Sequence, residues 1–165
     1  MEKKKKVYPI SCYGKHLCLV PDFNMWLIFL FLIRPYLVLI ISVANRTDRL
    51  QLINLLYADR MMMWLGLLAG IPAVLVVYAW MKRQPNATKF VRYIWHRGKL
   101  LLAISAIFNI GIVVLPMLLI DAHNFSIHGL WQLVVSALVL GVVLKSDYIR
   151  DCFLDFPTDS DVRGK

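Results

Sequence analysis

Residues 25–43 read MWLIFLFLIRPYLVLIISV, an apolar run that is interrupted by one charged residue, Arg34. A run of this length is enough to cross the roughly 30 Å hydrocarbon core of a bilayer as an α-helix. The guanidinium of Arg34 would then lie near the middle of the membrane, where an unpaired charge is costly. This stretch therefore predicts a transmembrane helix whose arginine needs a polar partner.

Three further apolar runs follow, at residues 61–81, 100–120 and 127–144. Of the 165 residues, 59% are hydrophobic, whereas soluble domains average about 45–50%. Lipid excludes unpaired backbone groups and the runs lack the alternation of barrel strands, so we interpret them as helices. The sequence predicts an all-α fold, an integral membrane four-helix bundle in a single domain. We expect the first span to be retained, since Arg34 interrupts it and the basic residues at 3–6 lie far from it.

The lysine and arginine residues fall mainly on one side of these spans. The tail 1–24 contains five, the loop 82–99 six and the tail 145–165 four, whereas the opposite side carries Arg46, Arg49 and Arg60. Because cytoplasmic loops are enriched in lysine and arginine, both termini are predicted to be cytoplasmic. The formal charge of +9 then reflects topology and attraction to anionic lipid headgroups at the cytoplasmic face. We expect no nucleic-acid partner, since the basic residues flank spans.

The boundaries of the predicted spans carry two further signals. Apolar residues recur at helical spacing within the loop 82–99, which predicts a short interfacial helix that Gly98 ends. The five tryptophans all fall near predicted boundaries and are interpreted as interface anchors: Trp26, Trp64, Trp80, Trp95 and Trp131.

Arg34 lies roughly 14 Å from the inner end of its span, counted at about 1.5 Å per residue. Proline lacks a backbone N–H and its ring displaces the preceding turn. Pro35 and Pro72 therefore leave the carbonyls of Phe31 and Leu68 available near this depth. A guanidinium offers five donors and no acceptor, so such carbonyls are suitable partners for it.

Polar side chains of the third and fourth spans reach a similar depth. Ser105 and Asn109 are four residues apart, as are Gln132 and Ser136, so each pair shares one helical face. Asn109 and Ser136 are the predicted side-chain acceptors for Arg34, and no carboxylate lies within any span. Two interpretations remain open: Arg34 is a structural clamp between helices, or it forms an anion or headgroup site in a wet cavity.

The second span contains a stripe of small residues. Gly66 and Gly70 form a G-x-x-x-G motif, which Ala69 and Ala73 extend. Such a stripe allows another helix to approach closely. That helix could belong to this chain, to a second copy or to another membrane protein.

Residues that carry out chemistry are sparse. None of the HExxH, GxSxG, P-loop or dinucleotide-binding motifs is present, so we predict no catalytic residues and no cofactor. Two groups could bind a metal: Cys12, His16, Cys18 and Cys152, and the group Asp121, His123 and His128. The first lacks a standard ligand spacing and the second is an ordinary set of polar loop residues, so we predict no metal site.

Several segments resemble a known family. They are YGKHLCL at 13–19, FLIRPY at 31–36, YADR at 57–60, LGLLAGIPA at 65–73 and WHRGK at 95–99. Over residues 13–102 the chain is similar to the YfeZ-like family of small proteobacterial inner-membrane proteins. The resemblance implies a location in the bacterial cytoplasmic membrane, but it implies no reaction, because that family is functionally uncharacterised.

Three classes of function are compatible with these features. The first is a structural or accessory component of a membrane assembly, which short loops and helix-packing surfaces favour. The second is a small carrier or channel for an anion or lipid headgroup that uses Arg34, since prolines near the midplane break helices as transporter sites do. The third is a lipid-modifying membrane enzyme, which would need acid and base residues close together.

Overall fold

The apolar runs are helical in the computed structural model of the protein, which describes residues 9, 18–44, 60–84, 86–119 and 127–157. Within these ranges the all-α prediction is confirmed. The six described helices are α1 (Phe23–Ala44), α2 (Arg60–Met81), α3 (Lys89–His96), α4 (Gly98–Leu119), α5 (Ile127–Lys145) and α6 (Asp147–Leu154).

Three of these helices, α1, α2 and α4, are long and apolar enough to cross a membrane. The fourth candidate is a broken one, in which α5 is followed by α6 at an angle of 62°. The break occurs at Ser146, whose side chain accepts a hydrogen bond from the Ile149 amide and so caps α6. The chain therefore has three to four helices of membrane-spanning character, in agreement with the sequence prediction.

The long helices contact one another in chain order. The α1–α2, α2–α4 and α4–α5 pairs each have extensive contacts, whereas α1 and α5 have no comparable contact within the described residues. Each internal helix thus has one neighbour on either side. The described helices are arranged as a row, and closure into the predicted four-helix bundle is not observed among them.

The short elements form a separate layer at one end of the long helices. This terminal layer consists of residues 18–22, Arg83, α3 and residues 146–157. Its centre is apolar and includes the buried side chains of Val91, Trp95, Ile149 and Phe153. Helix α3 lies within the loop 82–99, where the sequence predicts a short helix, and its position at the membrane interface stays a prediction. Helix α6 lies in a segment that we predicted only as a tail.

Two sequence interpretations in this layer are wrong. Trp95 is fully buried, so it is a core residue of the layer and not an interface anchor. Trp64 and Trp131 are exposed, and their role as anchors stays a prediction. Gly98 does not end α3. It is the first residue of α4, where a Cβ atom would overlap the ring of Phe153. Gly98 is therefore needed for close approach of α6.

Candidate functional site

The first polar cluster joins α1 to α2 in the middle of the spans. The Tyr36 hydroxyl donates a 2.7 Å hydrogen bond to the carbonyl of Leu67. The helices approach closely beside it, since a Cβ atom on Gly70 would lie 2.8 Å from Tyr36 Cε2 and 3.1 Å from the Leu32 carbonyl oxygen. The small-residue stripe of α2 therefore faces α1 of the same chain at Gly70.

The same cluster continues from α2 to α4. The Ser105 hydroxyl donates a 2.6 Å hydrogen bond to the carbonyl of Ala69, and both residues are buried. The Asn109 amide nitrogen donates to the carbonyl of Ser105 at 3.0 Å. Tyr36 and Ser105 thus bind α2 carbonyls from the two helices on either side of it.

Pro72 lies just after the carbonyls to which these side chains bond. Its missing N–H leaves the Leu68 carbonyl without its helical donor, and its ring disturbs the preceding turn. The Leu67 and Ala69 carbonyls on either side of Leu68 receive hydroxyl donors from α1 and α4. Side-chain donors from neighbouring helices commonly stabilise the backbone beside a proline within membranes.

Arg34 lies partly buried on α1, and its guanidinium carbon is 4.5 Å from the centre of the Phe31 ring. A cation over an aromatic face is stabilised by the ring quadrupole, more strongly where water is excluded. Pro35, next to it, is buried within the same helix. Counting residues along the helix pointed to the carbonyl of Phe31 as a partner for Arg34, but it did not identify the Phe31 ring.

The predicted acceptors of Arg34 have different surroundings. Asn109 directs its amide nitrogen to its own helix. Ser136 is fully buried on α5, and its hydroxyl oxygen makes no hydrogen bond within the described residues.

Gly66 and Ala73, the remaining members of the small-residue stripe, are buried in α2.

We predict that Tyr36→Phe lowers the stability of the folded protein by about 1 kcal/mol. The substitution keeps the ring beside Gly70 and removes only the hydroxyl that satisfies the Leu67 carbonyl. Hydrogen bonds between membrane helices contribute roughly 0.6 kcal/mol on average and at most about 1.7. Denaturation of the purified protein in detergent measures the change.

The matched control for this variant is Tyr78→Phe, which removes the hydroxyl of a tyrosine in the neighbouring helix α2. Tyr78 is 47% exposed, so loss of its hydroxyl is expected to have little effect. Equal stability losses in both variants would contradict the assigned role of Tyr36.

The second polar cluster lies in the terminal layer and centres on Arg83. This residue follows α2 and donates from Nη1 to the carbonyl of Leu19 at 2.7 Å and from Nη2 to that of Asp155 at 2.6 Å. Its guanidinium carbon also lies 4.7 Å from the centre of the Trp95 ring. One side chain thereby joins the segment before α1, the segment after α6 and helix α3.

Other hydrogen bonds connect the same segments. Trp95 Nε1 donates to the carbonyls of Cys152 at 3.2 Å and Asp155 at 3.1 Å. The Leu19 amide donates to Asp155 Oδ2 at 2.8 Å, and the Tyr148 hydroxyl donates to the carbonyl of Val20 at 2.7 Å. The two ends of the described chain are therefore held together in one layer.

The cysteines of this layer are buried thiols. Cys18 and Cys152 do not form a disulfide with each other. Burial raises the pKa of the Cys152 thiol from 9.0 to about 11, although nearby Arg83 acts in the opposite direction. Cys12 and His16, the other members of the considered metal group, lie outside the described residues, as do Asp121 and His123 of the second group. His128 lies in the first turn of α5.

We predict that Cys152 resists alkylation in the folded protein. With a pKa near 11, the reactive thiolate is roughly a thousandth of the population at pH 8, and burial also blocks access. Iodoacetamide labelling followed by mass spectrometry should show slow modification of Cys152 until the protein is unfolded in dodecyl sulfate. Rapid labelling of the folded protein at pH 8 would contradict this environment.

The raised pKa also has a consequence for stability. Since the pKa of the folded state lies above the ordinary value of 9.0, the stability that this group contributes is fully present below pH 9. It decreases as the pH rises towards about 11, because the folded state then retains a proton that the unfolded state releases.

Some of these residues could have been identified from sequence and others could not. Ser146 before Asp147, followed by apolar residues at 148, 149, 152 and 153, is a signal for a capped amphipathic helix. The roles of Tyr36 and Arg83 have no local signal, because their partners are backbone carbonyls 31 and 64 residues away.

The fold and the two polar clusters define a small multispanning helical membrane protein whose buried polar side chains bond mainly to backbone carbonyls. The chain belongs to the family described as "Protein of unknown function (DUF2919)", which it matches over residues 8–155. It is 30% identical over 153 residues to "Inner membrane protein YfeZ" of Escherichia coli strain K12. That match covers 93% of this chain and 97% of the relative. No solved structure gives a significant match.

These comparisons confirm the resemblance that the sequence segments indicated. The similarity is not limited to residues 13–102, since the family match reaches residue 155. The protein is accordingly a multi-pass membrane protein of a family whose function is not known.

Proposed function

We propose that the protein is a structural or accessory component of an assembly in the bacterial cytoplasmic membrane, with its terminal layer facing the cytoplasm. The observation that carries the proposal is the set of bonds around Arg83, which hold the terminal layer as one rigid unit. A rigid layer of short helices, attached to spans, provides a surface on which another protein can dock.

The chemistry of this layer supports a binding role over an enzymatic one. Its hydrogen-bonding groups are directed mainly at backbone carbonyls of the same chain, which satisfies them structurally. Catalysis would need a nucleophile or an acid and a base within hydrogen-bonding reach of a common point. The buried Cys152, whose thiol has a raised pKa, is a poor nucleophile.

The orientation is supported by charge. The described part of the terminal layer contains Arg83, Lys89, Arg92 and Arg150, and Arg97 directly follows α3. Lysine and arginine concentrate on the cytoplasmic side of membrane proteins. The identification of an inner-membrane relative supports the choice of membrane.

Site-specific photocrosslinking in living cells tests this function. A benzoylphenylalanine at Phe90, which is 60% exposed on α3, is expected to form an adduct with a specific protein. The same probe at Leu138, which is 63% exposed on the long helix α5, serves as the matched control and is expected to contact lipid.

Native mass spectrometry provides the second readout. The protein released in mild detergent or native nanodiscs should exceed the 19.1 kDa of one chain, as a complex or as a homo-oligomer. An unaccompanied monomer together with absence of a protein adduct at Phe90 would contradict the accessory role.

The alternative function, a carrier for an anion or lipid headgroup, is favoured by the partly buried position of Arg34 within α1. Replacement by glutamine distinguishes the two. If Arg34 is a structural residue, Arg34→Gln lowers the melting temperature of the purified protein and leaves binding of anionic solutes unchanged. Loss of solute binding with an unchanged melting temperature would instead support the carrier.

A further inference from the structure

A cleft of about 440 Å³ lies where the terminal layer meets the start of α4. Its walls come from the end of α3, the first turns of α4, the end of α5 and helix α6. Ligand sites in proteins commonly measure roughly 300–1,000 Å³, so the cleft is large enough for a polar headgroup. It lies apart from the first polar cluster, around Tyr36 and Ser105, and from the hydrogen bonds of Arg83.

The lining of the cleft includes basic side chains. Three of them come from lysine or arginine: Arg97, Lys99 and Arg150. His96 lines it as well, and a hydrogen bond joins its Nδ1 to the Arg92 carbonyl at 2.9 Å. A carbonyl only accepts, so Nδ1 is the donor and Nε2 remains for another partner.

The three cations are neutralised to different degrees by the chain itself. Arg150 lies 3.2 Å from Asp151 and 3.8 Å from Asp147, so most of its charge is balanced. Lys99 donates one hydrogen bond to the Leu144 carbonyl at 3.0 Å, and no carboxylate of the described residues forms an ion pair with it. The Arg97 guanidinium stacks at 4.8 Å over the Tyr93 ring, an arrangement that leaves its in-plane N–H groups for an acceptor.

The rest of the lining is apolar. It includes Leu100, Leu144 and Leu154, each more than half exposed. Leu100 lies in the first turn of the long apolar helix α4 and Leu144 near the end of α5, so the cleft combines basic side chains with apolar residues at the ends of two long helices.

We propose that this cleft binds a phospholipid with an anionic headgroup, whose phosphate contacts Arg97 and Lys99 and whose first acyl carbons lie against Leu100 and Leu154. Basic pockets beside transmembrane helices recognise such headgroups by charge, and the apolar side chains of the same lining suit an acyl chain. A free phosphate ion would use only the basic side chains, so the apolar ones favour the lipid. This binding site is independent of the partner that we propose for the terminal layer.

The experiment measures lipid binding to the purified full-length chain by native mass spectrometry and by thermal shift. Phosphatidylglycerol is expected to bind and raise the melting temperature, whereas phosphatidylcholine and inorganic phosphate are not. Arg97→Gln should weaken phosphatidylglycerol binding about fivefold, the effect expected for one basic residue near an anionic headgroup. Lys89→Gln, which removes the same charge from an exposed site outside the cleft, should bind as wild type.

A second variant guards against an effect on folding. Leu154→Asp places a carboxylate at the exposed end of α6 and should weaken phosphatidylglycerol binding through repulsion, with Arg97 and Lys99 intact. Equal binding of phosphatidylglycerol and phosphatidylcholine would overturn the proposal. So would equal losses in Arg97→Gln and Lys89→Gln, or a thermal shift by inorganic phosphate that matches that of the lipid.

Discussion

Arg83→Ala is expected to lower the stability of the protein by about 3 kcal/mol, which corresponds to a melting temperature about 10 °C lower for a chain of this size. The variant loses two short hydrogen bonds, to the carbonyls of Leu19 and Asp155, and the contact with the Trp95 ring. A single hydrogen bond from a charged donor contributes roughly 1.5–3 kcal/mol. The carbonyl groups left behind are partly buried, which adds to the loss.

A second readout shows where the damage occurs. Without Arg83, the segment before α1 and the segment after α6 lose a shared donor, so the terminal layer should open around Cys152. Alkylation of Cys152 should therefore become faster in Arg83→Ala than in the wild type. Arg83→Lys should recover only part of the stability, because an ammonium group cannot reproduce the planar fork that reaches two carbonyls.

Lys89→Ala is the control for loss of a basic residue in the same layer. Lys89 is exposed at the start of α3, and substitutions at such sites usually change stability by no more than about 0.5 kcal/mol. A similar fall in melting temperature for both variants would show that charge alone, and not the bonds of Arg83, stabilises the layer.

Gly98→Ala is the second variant with a large expected effect, a loss of about 3 kcal/mol. Replacing glycine by alanine in a helix normally stabilises it by roughly 0.5–1 kcal/mol. At Gly98 the added methyl group would overlap the ring of Phe153, which is itself buried against Trp95 at a ring distance of 4.8 Å. Overpacking of this kind costs about 1–3 kcal/mol or more. The substitution is therefore expected to lower the stability of the protein, whereas glycine to alanine in a helix usually raises it.

Gly111→Ala provides the matched control for this prediction. A Cβ atom on Gly111, in the same helix α4, would meet nothing within 4 Å, so its variant should be neutral or slightly more stable. Thermal denaturation of both variants in the same detergent compares them directly.

A double substitution isolates the contact between the two residues. Gly98→Ala combined with Phe153→Leu should be more stable than the sum of the two single losses predicts, by at least about 1 kcal/mol, because the smaller side chain makes room for the methyl group. Strictly additive losses would contradict the assigned close contact.

The long helices were predictable because length and hydropathy are local properties. The run at 25–43 lies within α1, Phe23–Ala44, and the run at 61–81 lies within α2, Arg60–Met81. Each needs about 20 apolar residues to cross a bilayer, whatever its neighbours are. Which helices are neighbours depends, by contrast, on which of their faces contact one another. Hydropathy carries no information on these contacts, so it could not decide whether the four predicted spans close into a bundle.

The first polar cluster, around Tyr36 and Ser105, shows the limit of counting residues along a helix. The count predicts how deep in the membrane a polar group lies, but not which group it bonds to. Successive carbonyls of a helix differ by about 100° in direction. The Leu67 and Ala69 carbonyls are therefore about 200° apart and face nearly opposite sides of α2, where Tyr36 and Ser105 bind them. Leu68 has the expected height, but the two neighbouring carbonyls are the ones that face α1 and α4.

The terminal layer was the least predictable part of the molecule. In the sequence, Arg83 is one basic residue among several in a loop. Its positive charge helps to predict which side of the membrane the loop faces, but it does not indicate which carbonyls the side chain bonds to. Trp95 has the sequence position expected of an interface anchor, yet it is buried because α6 packs against it. Both roles depend on a segment that follows all four predicted spans, so no local pattern reveals them.

The proposed orientation of the terminal layer is tested most directly by reporters fused to the C-terminus of the full-length chain in bacterial cells. Green fluorescent protein fused there should be fluorescent, and alkaline phosphatase fused there should be inactive, because the first folds in the cytoplasm and the second in the periplasm. Alkaline phosphatase inserted within residues 121–126 should be active and serves as the control. An active C-terminal phosphatase with a dark fluorescent fusion would contradict the account, because the terminal layer would then face away from the cytoplasm.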